Sequence, residues 1–332
     1  MDLVFFTLVV VVIAALIFDY INGFHDTANA IATVVSTGVL PMRTAIIMAA
    51  VMNLLGAFWG TEVANTIAKM VHSESVSQVM VAGGLMGAIT WNLITWWFGI
   101  PSSSSHALLG GVLGAAITKA GTGAVVAANL QKTLTGLFLS PLIGFALGFL
   151  IMVTVTWIVR KGRPGKVNRT FRVLQMISAA GMAVAHGKAD AQKTMGIIVM
   201  ALVSFGALKS GAPPPFWVVM ACATAMALGT AAGGVRIIKT MGSKIIDLKP
   251  IHGFAAELSA ATTIIVAANF GAPLSTTHVI SSAIMGVGSS QRVSAVRWGV
   301  TTKILWAWVL TIPISGAVGS LCYLLLSALL GP

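Results

Sequence analysis

The sequence predicts an all-α, polytopic membrane protein arranged as an inverted repeat, with broken or re-entrant helices and roughly 10–12 membrane segments. Three observations carry this expectation. Of 332 residues, 57% are hydrophobic and only 8% charged, whereas a soluble domain has about 25% charged residues. The stretches 75–105, 133–159, 210–235 and 304–332 contain no Asp, Glu, Lys or Arg, and each exceeds the roughly 20 residues with which a helix crosses the hydrocarbon core. Two polar motifs recur in the same order in both halves, at 23–30 and 187–194 and again at 99–106 and 271–278. The apolar runs do not alternate, which excludes a transmembrane barrel.

In chain order, Met1-Asp2 supplies no basic n-region, so the apolar run 3–18 is expected to remain as a first helix and not to be cleaved as a signal. That run leads into GFHDTANA (23–30). The charge-free run 75–105 contains WNLITWWFGIPSSSS; Gly99 and Pro101 interrupt the helix there, and a new helix is expected to start at Ser102. After 133–159 comes RKGRPGKVNRTFR (160–172), which holds six of the 20 basic residues. It reads as a basic cytoplasmic loop between a first transmembrane repeat, 1–159, and a second, 173–332. The second half brings GKADAQKT (187–194), the run 210–235, a basic segment at 236–249 with four more cations, GAPLSTTH (271–278) and the final run 304–332. The net charge of +12 is concentrated in these two basic segments, so it reads as membrane orientation and not as nucleic-acid binding. Cys222 and Cys322 give neither a disulfide framework nor metal-ligand spacing.

The matches are positional. Gly23 and Asp26 correspond to Gly187 and Asp190 at an offset of 164 residues, and Gly99, Pro101 and His106 to Gly271, Pro273 and His278 at 172. Internal duplication in a polytopic chain is a mark of secondary transporters. The basic segment 236–249 corresponds to 66–77, where only Lys69 and His72 stand against Glu74. Matching loops of opposite charge bias place the halves in opposite orientations. An inverted repeat has an odd number of crossings per half, so with 160–172 inside, both termini are expected outside.

Each Gly-x-Pro break frees the N-terminus of a half-helix, with unpaired N–H groups and about half a positive charge. Hydroxyls of Ser103, Ser104 and Ser105, and of Ser275, Thr276 and Thr277, add donors, so the pair reads as an anion site near the midplane. Asp26 and Asp190 lie in apolar segments, where a lone carboxylate is costly and usually functional. The glycine three residues before each predicts a helix break whose free carbonyls join the carboxylate in a cation or proton site. Asn29 and Lys193 stand one turn further on, and Glu257 aligns with Leu85 in the other half. Ser105-His106 does not read as a hydrolase, because Thr277 takes the serine's place in the second copy and no G-x-S-x-G is present.

The segments NGFHDTANAIAT, WNLITWWFGIPSSSSHALLGG, HGKADAQKTMGII, GFAAELSAATT and GAPLSTTHVISSAIMGVG resemble hallmark segments of the PiT family of inorganic phosphate transporters, over nearly the whole chain. The resemblance implies a multi-pass protein of the bacterial cytoplasmic membrane, a homodimer in the lipid bilayer. It implies import of inorganic phosphate, free or as a metal–phosphate complex, with H+ or Na+ as coupling ion and no resident cofactor. The implied phosphate ligands are Ser103, Ser104, Ser105, Ser275, Thr276 and Thr277. The implied coupling residues are Asp26, Asn29, Asp190 and Glu257, with Asp26, Asn29 and Asp190 as metal ligands if the ion is sodium. The family pattern around the aspartates is usually Gly-Ala-Asn-Asp, whereas this chain has Gly23-Phe24-His25-Asp26 and Gly187-Lys188-Ala189-Asp190. Two amide oxygens are thereby lost to a sodium site. Histidine as a residue type changes charge near neutral pH, and Lys188 or Lys193 can serve as a built-in countercharge to Asp190. The expectation is therefore H+ symport with His25 and Asp26 carrying the proton; the alternatives are a sodium symporter or a sulfate permease of the same fold.

Overall fold

The computed structural model describes residues 3–331; Met1 and Asp2, which bear on the signal-peptide reading, and Pro332 lie outside them. Among the described residues the chain forms twelve α-helices and three short 3-10 turns, with no strand. Helices satisfy every backbone polar group within the segment, the condition lipid imposes. The first half contains α1 (Leu3–Ser36), α2 (Met42–Ala57), α3 (Glu62–Ala68), α4 (Gln78–Phe98), α5 (Ser104–Ala120) and α6 (Ala127–Val159). The second contains α7 (Pro164–Phe205), α8 (Phe216–Ala232), α9 (Val235–Ser243), α10 (Pro250–Asn269), α11 (Thr276–Gln291) and α12 (Trp298–Leu330).

The two series agree in detail. α4 and α10 have 21 and 20 residues, α5 and α11 have 17 and 16, and α6 and α12 have 33 each. The α2–α3 and α8–α9 pairs bend by 72° and 73°. Five helices are long and apolar enough to cross a membrane, or seven if each bent pair is one span. α7 is not among them although it is the longest helix, at 42 residues, because its middle turns carry His186, Lys188, Asp190 and Lys193. α6 and α12 present exposed apolar side chains such as Phe138, Leu142, Trp157 and Leu325, as expected for helices facing acyl chains.

Two expectations need correction. The basic segment 160–172 is mostly not a loop: α6 ends at Val159 and α7 begins at Pro164, where proline's fixed φ suits the first helical turn. The helix breaks expected at the aspartates are also absent, since α1 and α7 run unbroken through Asp26 and Asp190. Gly23 and Gly187 serve close packing instead. A Cβ on Gly23 would lie 2.4 Å from the Met226 carbonyl oxygen on α8, and one on Gly187 would lie 2.2 Å from that of Asn53 on α2.

The halves interlock. α1 packs on α8 and α7 on α2, while α5 packs on α12 and α11 on α6. The buried apolar side chains form two clusters. One takes Leu8 to Phe18 of α1 and Ala191 to Leu202 of α7; the other takes Ala28 to Val34 of α1 and Ala179 to Ala189 of α7. Between them, along the antiparallel contact of α1 with α7, lies a buried polar layer containing Asp19, Asn22, His25, Asp26, Asn29, His186 and Asp190.

Candidate functional site

The two half-helices start as the Gly-x-Pro spacing requires, α5 at Ser104, two residues after the expected Ser102, and α11 at Thr276. Gly99 and Gly271 end α4 and α10 with φ of +64° and +61°, a conformation that side chains with a Cβ disfavour. Ser103 then caps α5, accepting from the His106 N–H at 3.1 Å, and Ser275 caps α11, accepting from the His278 N–H at 3.2 Å. Ser103 Oγ also meets His106 Nδ1 at 2.7 Å, so its hydroxyl is fully engaged locally. Behind the caps the His106 and His278 rings lie 4.4 Å apart, and His278 stacks on Trp308 at 3.8 Å. These two histidines brace the half-helices against each other.

Beyond the caps, residues from both halves meet in one hydrogen-bonded chain. Lys193 donates to both Ser105 Oγ and Asp190 Oδ1. Asp190 Oδ2 accepts from Thr276 Oγ1 at 3.0 Å and lies 3.1 Å from His186 Nε2. Asn29 Nδ2 donates to Thr276 Oγ1 and Thr277 Oγ1 at 3.2 and 3.0 Å. Thr277 Oγ1 lies 3.5 Å from Asp26 Oδ1, which pairs with His25 Nδ1 at 2.6 Å. The second nitrogen of His25 contacts Thr95 Oγ1 at 3.0 Å, and Thr95 accepts from Ser102 Oγ at 2.8 Å. Apart from Ser105, which is half-buried, all of these groups are buried. Asp26, His186 and Asp190 can each present one ligand atom within 4.8 Å of the others.

Of the residues singled out from sequence, Ser105, Thr276, Thr277, His25, Asp26, Asn29, Asp190 and Lys193 therefore converge. Ser103 and Ser275 are caps, and Ser104 Oγ is buried without a partner. Glu257 stands apart, held by Thr33, Gln175 and Ser178. Lys188 is not the countercharge of Asp190: its ammonium donates to Asn269 Oδ1 and lies 4.7 Å over the Trp59 ring. On a continuous helix a residue two positions before Asp190 points away from it, whereas Lys193, three positions after, shares its face. His186, Thr95 and Asn53 belong to the site or its support and were not picked out from sequence. His186 left a signal, since the 164-residue offset sets it against Asn22.

A model described as the phosphate transporter family matches residues 22–165 and again residues 160–319. The chain belongs to the phosphate transporter family. It is 48% identical over 330 residues to a probable low-affinity inorganic phosphate transporter of Bacillus subtilis (strain 168), covering 98% of this chain and 99% of the relative. It is 49% identical over 323 residues to a protein of the same description from Rhizobium meliloti (strain 1021), covering 97% of each. A solved structure titled "The sodium-dependent phosphate transporter" superposes with a TM-score of 0.86 at 25% identity, over 98% of this chain and all of that one. The chain is thus a multi-pass membrane transporter and not an enzyme.

Proposed function

We propose that this transporter imports inorganic phosphate by H+ symport, with the anion held between the N-termini of α5 and α11. Ser105, Thr276 and Thr277, which here donate to the Leu274 carbonyl, Asp190 and Asp26, would turn their hydroxyls to the anion alongside the N–H groups and partial positive charge of each helix start. The observation that carries the proton reading is the position of Lys193, whose ammonium joins the Asp190 carboxylate to the Ser105 hydroxyl. A sodium ion at Asp190 needs several hard oxygens, and a fixed ammonium already lies on one carboxylate oxygen. An arriving phosphate competes for the same ammonium through charge-assisted hydrogen bonds. As Lys193 turns toward the anion, Asp190 loses its countercharge in a buried site and takes up a proton. Asp26, paired with His25, provides a like exchange in the other half. Substrate binding and protonation are then one event.

Two features of this reading come from the halves. The matched element order and opposite loop charge support an inverted repeat, in which both half-helices point at one site from opposite sides. The likeness to a structure titled as sodium-dependent favours sodium as the second reading. Proteoliposomes separate the two. An inward proton gradient without sodium should accumulate phosphate, and a protonophore should abolish the accumulation. A requirement for an inward sodium gradient, with indifference to pH, would refute the proton reading. Ser105→Ala with Thr276→Ala should raise the phosphate KM, since each missing donor leaves an anionic oxygen under-satisfied by about 1–3 kcal/mol. Labelled sulfate should compete poorly in the same vesicles.

A further inference from the structure

Asp19 is an acidic residue at the middle of α1 that takes no part in the site described above. It is 0% exposed, and both of its oxygens lie without a hydrogen-bond partner. Asn22 one turn along α1, Thr194 on α7 and Cys222 on α8 border the carboxyl group. Asn22 Oδ1 and Thr194 Oγ1 are themselves buried and without partners. Among the described residues no basic side chain is paired with the carboxyl group, and the titratable groups near it are Asp190 and Cys222. On the other side it adjoins the apolar cluster that contains Ala15, Phe18, Met195 and Met226.

An ionised carboxylate in such a place, with no cation and a second carboxylate nearby, is strongly disfavoured. A sodium ion would be a poor remedy. It prefers several hard oxygens, and beyond the Asn22 and Thr194 oxygens the surroundings are a thiol and hydrocarbon. A proton needs only the carboxyl group itself, and the neutral acid can donate to Thr194 Oγ1 or Asn22 Oδ1. The position has no equivalent in the second half, where the 164-residue offset reaches Ala183. Packing of the repeat therefore does not demand a carboxyl group, and alanine fills the matching place.

We propose that Asp19 is a proton-binding residue of the transport cycle, additional to the His25–Asp26 pair, holding its proton in the arrangement seen here and exchanging it in the course of transport. This rests on the proton-symport reading for its role in transport, but not for its protonation. The proton enters or leaves Asp19 Oδ, with Thr194 Oγ1 and Asn22 Oδ1 as the adjacent polar atoms.

Infrared difference spectroscopy on protein reconstituted in lipid tests the protonation directly. The protonated carboxyl should give a C=O stretch well separated from carboxylate bands, lost in Asp19→Asn and kept, shifted, in Asp19→Glu. In parallel, vesicles under a one-unit pH gradient test coupling, since each coupled proton contributes roughly tenfold accumulation per pH unit. Asp19→Asn should keep phosphate–phosphate exchange while its accumulation ratio falls about tenfold, and Asp19→Glu should restore it. A spectrum of wild type lacking an Asp19-dependent band overturns the proposal, as does accumulation in Asp19→Asn equal to wild type. Should Asp19→Asn fail to fold, the comparison of wild type with Asp19→Glu still decides, because the Asp26 and Asp190 bands stay in place while that of residue 19 moves: a moved band that responds to added phosphate supports the role, and the absence of any moved band, or one that does not respond, refutes it. Wild-type transport indifferent to pH, with the Asp19 band present, instead condemns the symport reading alone.

Discussion

Lys193→Met separates the built-in countercharge from every other feature of the site. Methionine keeps much of the apolar stem and removes the ammonium that joins Asp190 to Ser105. Asp190 is 1% exposed and Lys193 is 3% exposed, so water cannot replace the missing charge. Removing one partner of a buried pair typically costs about 3–5 kcal/mol, because the other charge is left uncompensated. At roughly 2–4 °C per kcal/mol for chains of 150–250 residues, the melting temperature in detergent should fall by several degrees. Asp190→Asn in the same chain removes the orphaned charge, so the double variant should be more stable than Lys193→Met alone. The assay is a double-mutant cycle of thermal stability, with phosphate uptake measured in parallel. Lys193→Met should lose concentrative uptake and bind phosphate more weakly, having lost both a cation and its switch. Stability effects that simply add, with a coupling below about 0.5 kcal/mol, would show that the ammonium does not hold Asp190 and would refute the switching account.

Two further outcomes follow from packing and topology. Gly187→Ala should cost about 1–3 kcal/mol or more by overpacking, because the new methyl would meet the Asn53 backbone oxygen at 2.2 Å, whereas Gly181→Ala, with nothing within 4 Å, should be tolerated; comparing folded yield and melting temperature of the pair checks this. Gly165→Cys in a Cys222→Ala, Cys322→Ala background places an exposed thiol at the start of α7, which should resist an impermeant maleimide in intact cells and react after lysis. Labelling of intact cells would reverse the orientation.

Much of this was legible in the sequence where a local rule has one solution. Gly-x-Pro followed by a hydroxyl run admits only a broken helix with a new cap, and Ser103 and Ser275 fill that role. The aspartate motifs were ambiguous because glycine serves two purposes. It ends helices, and it also lets two helices approach until a carbonyl sits where a Cβ would be. Which purpose applies at Gly23 and Gly187 depends on α8 and α2, far away in sequence. The error then propagated, because only a continuous α7 puts Lys193 beside Asp190 and turns Lys188 toward Trp59. Which of the remaining hydroxyls join the polar chain was beyond reach, since it depends on contacts with the other half, Ser105 with Leu274 O and Lys193 and Thr276 with Asp190.

The backbone repeats closely while the chemistry on it does not, and the difference bears on coupling. Asn29 faces Lys193 across the repeat, Asn22 corresponds to His186, His25 to Ala189, Asp19 to Ala183 and Leu85 to Glu257. Two half-helix starts together offer about one positive charge. Lys193 adds one, and Asp26 and Asp190 subtract two, so these groups together are close to neutral. A phosphate dianion entering that site brings two negative charges that nothing fixed remains to balance. Neutrality in a buried, low-dielectric layer then calls for about two monovalent cations per dianion, since an uncompensated buried charge is costly. On the proton-symport reading, one proton at the His25–Asp26 pair and one at Asp190, released from its ion pair as Lys193 turns to the anion, would meet that requirement within hydrogen-bonding reach of the site. On that reading the lysine on one side would let the second half of the site respond to the anion directly, so that on a nearly symmetric scaffold anion binding and proton uptake depend on each other.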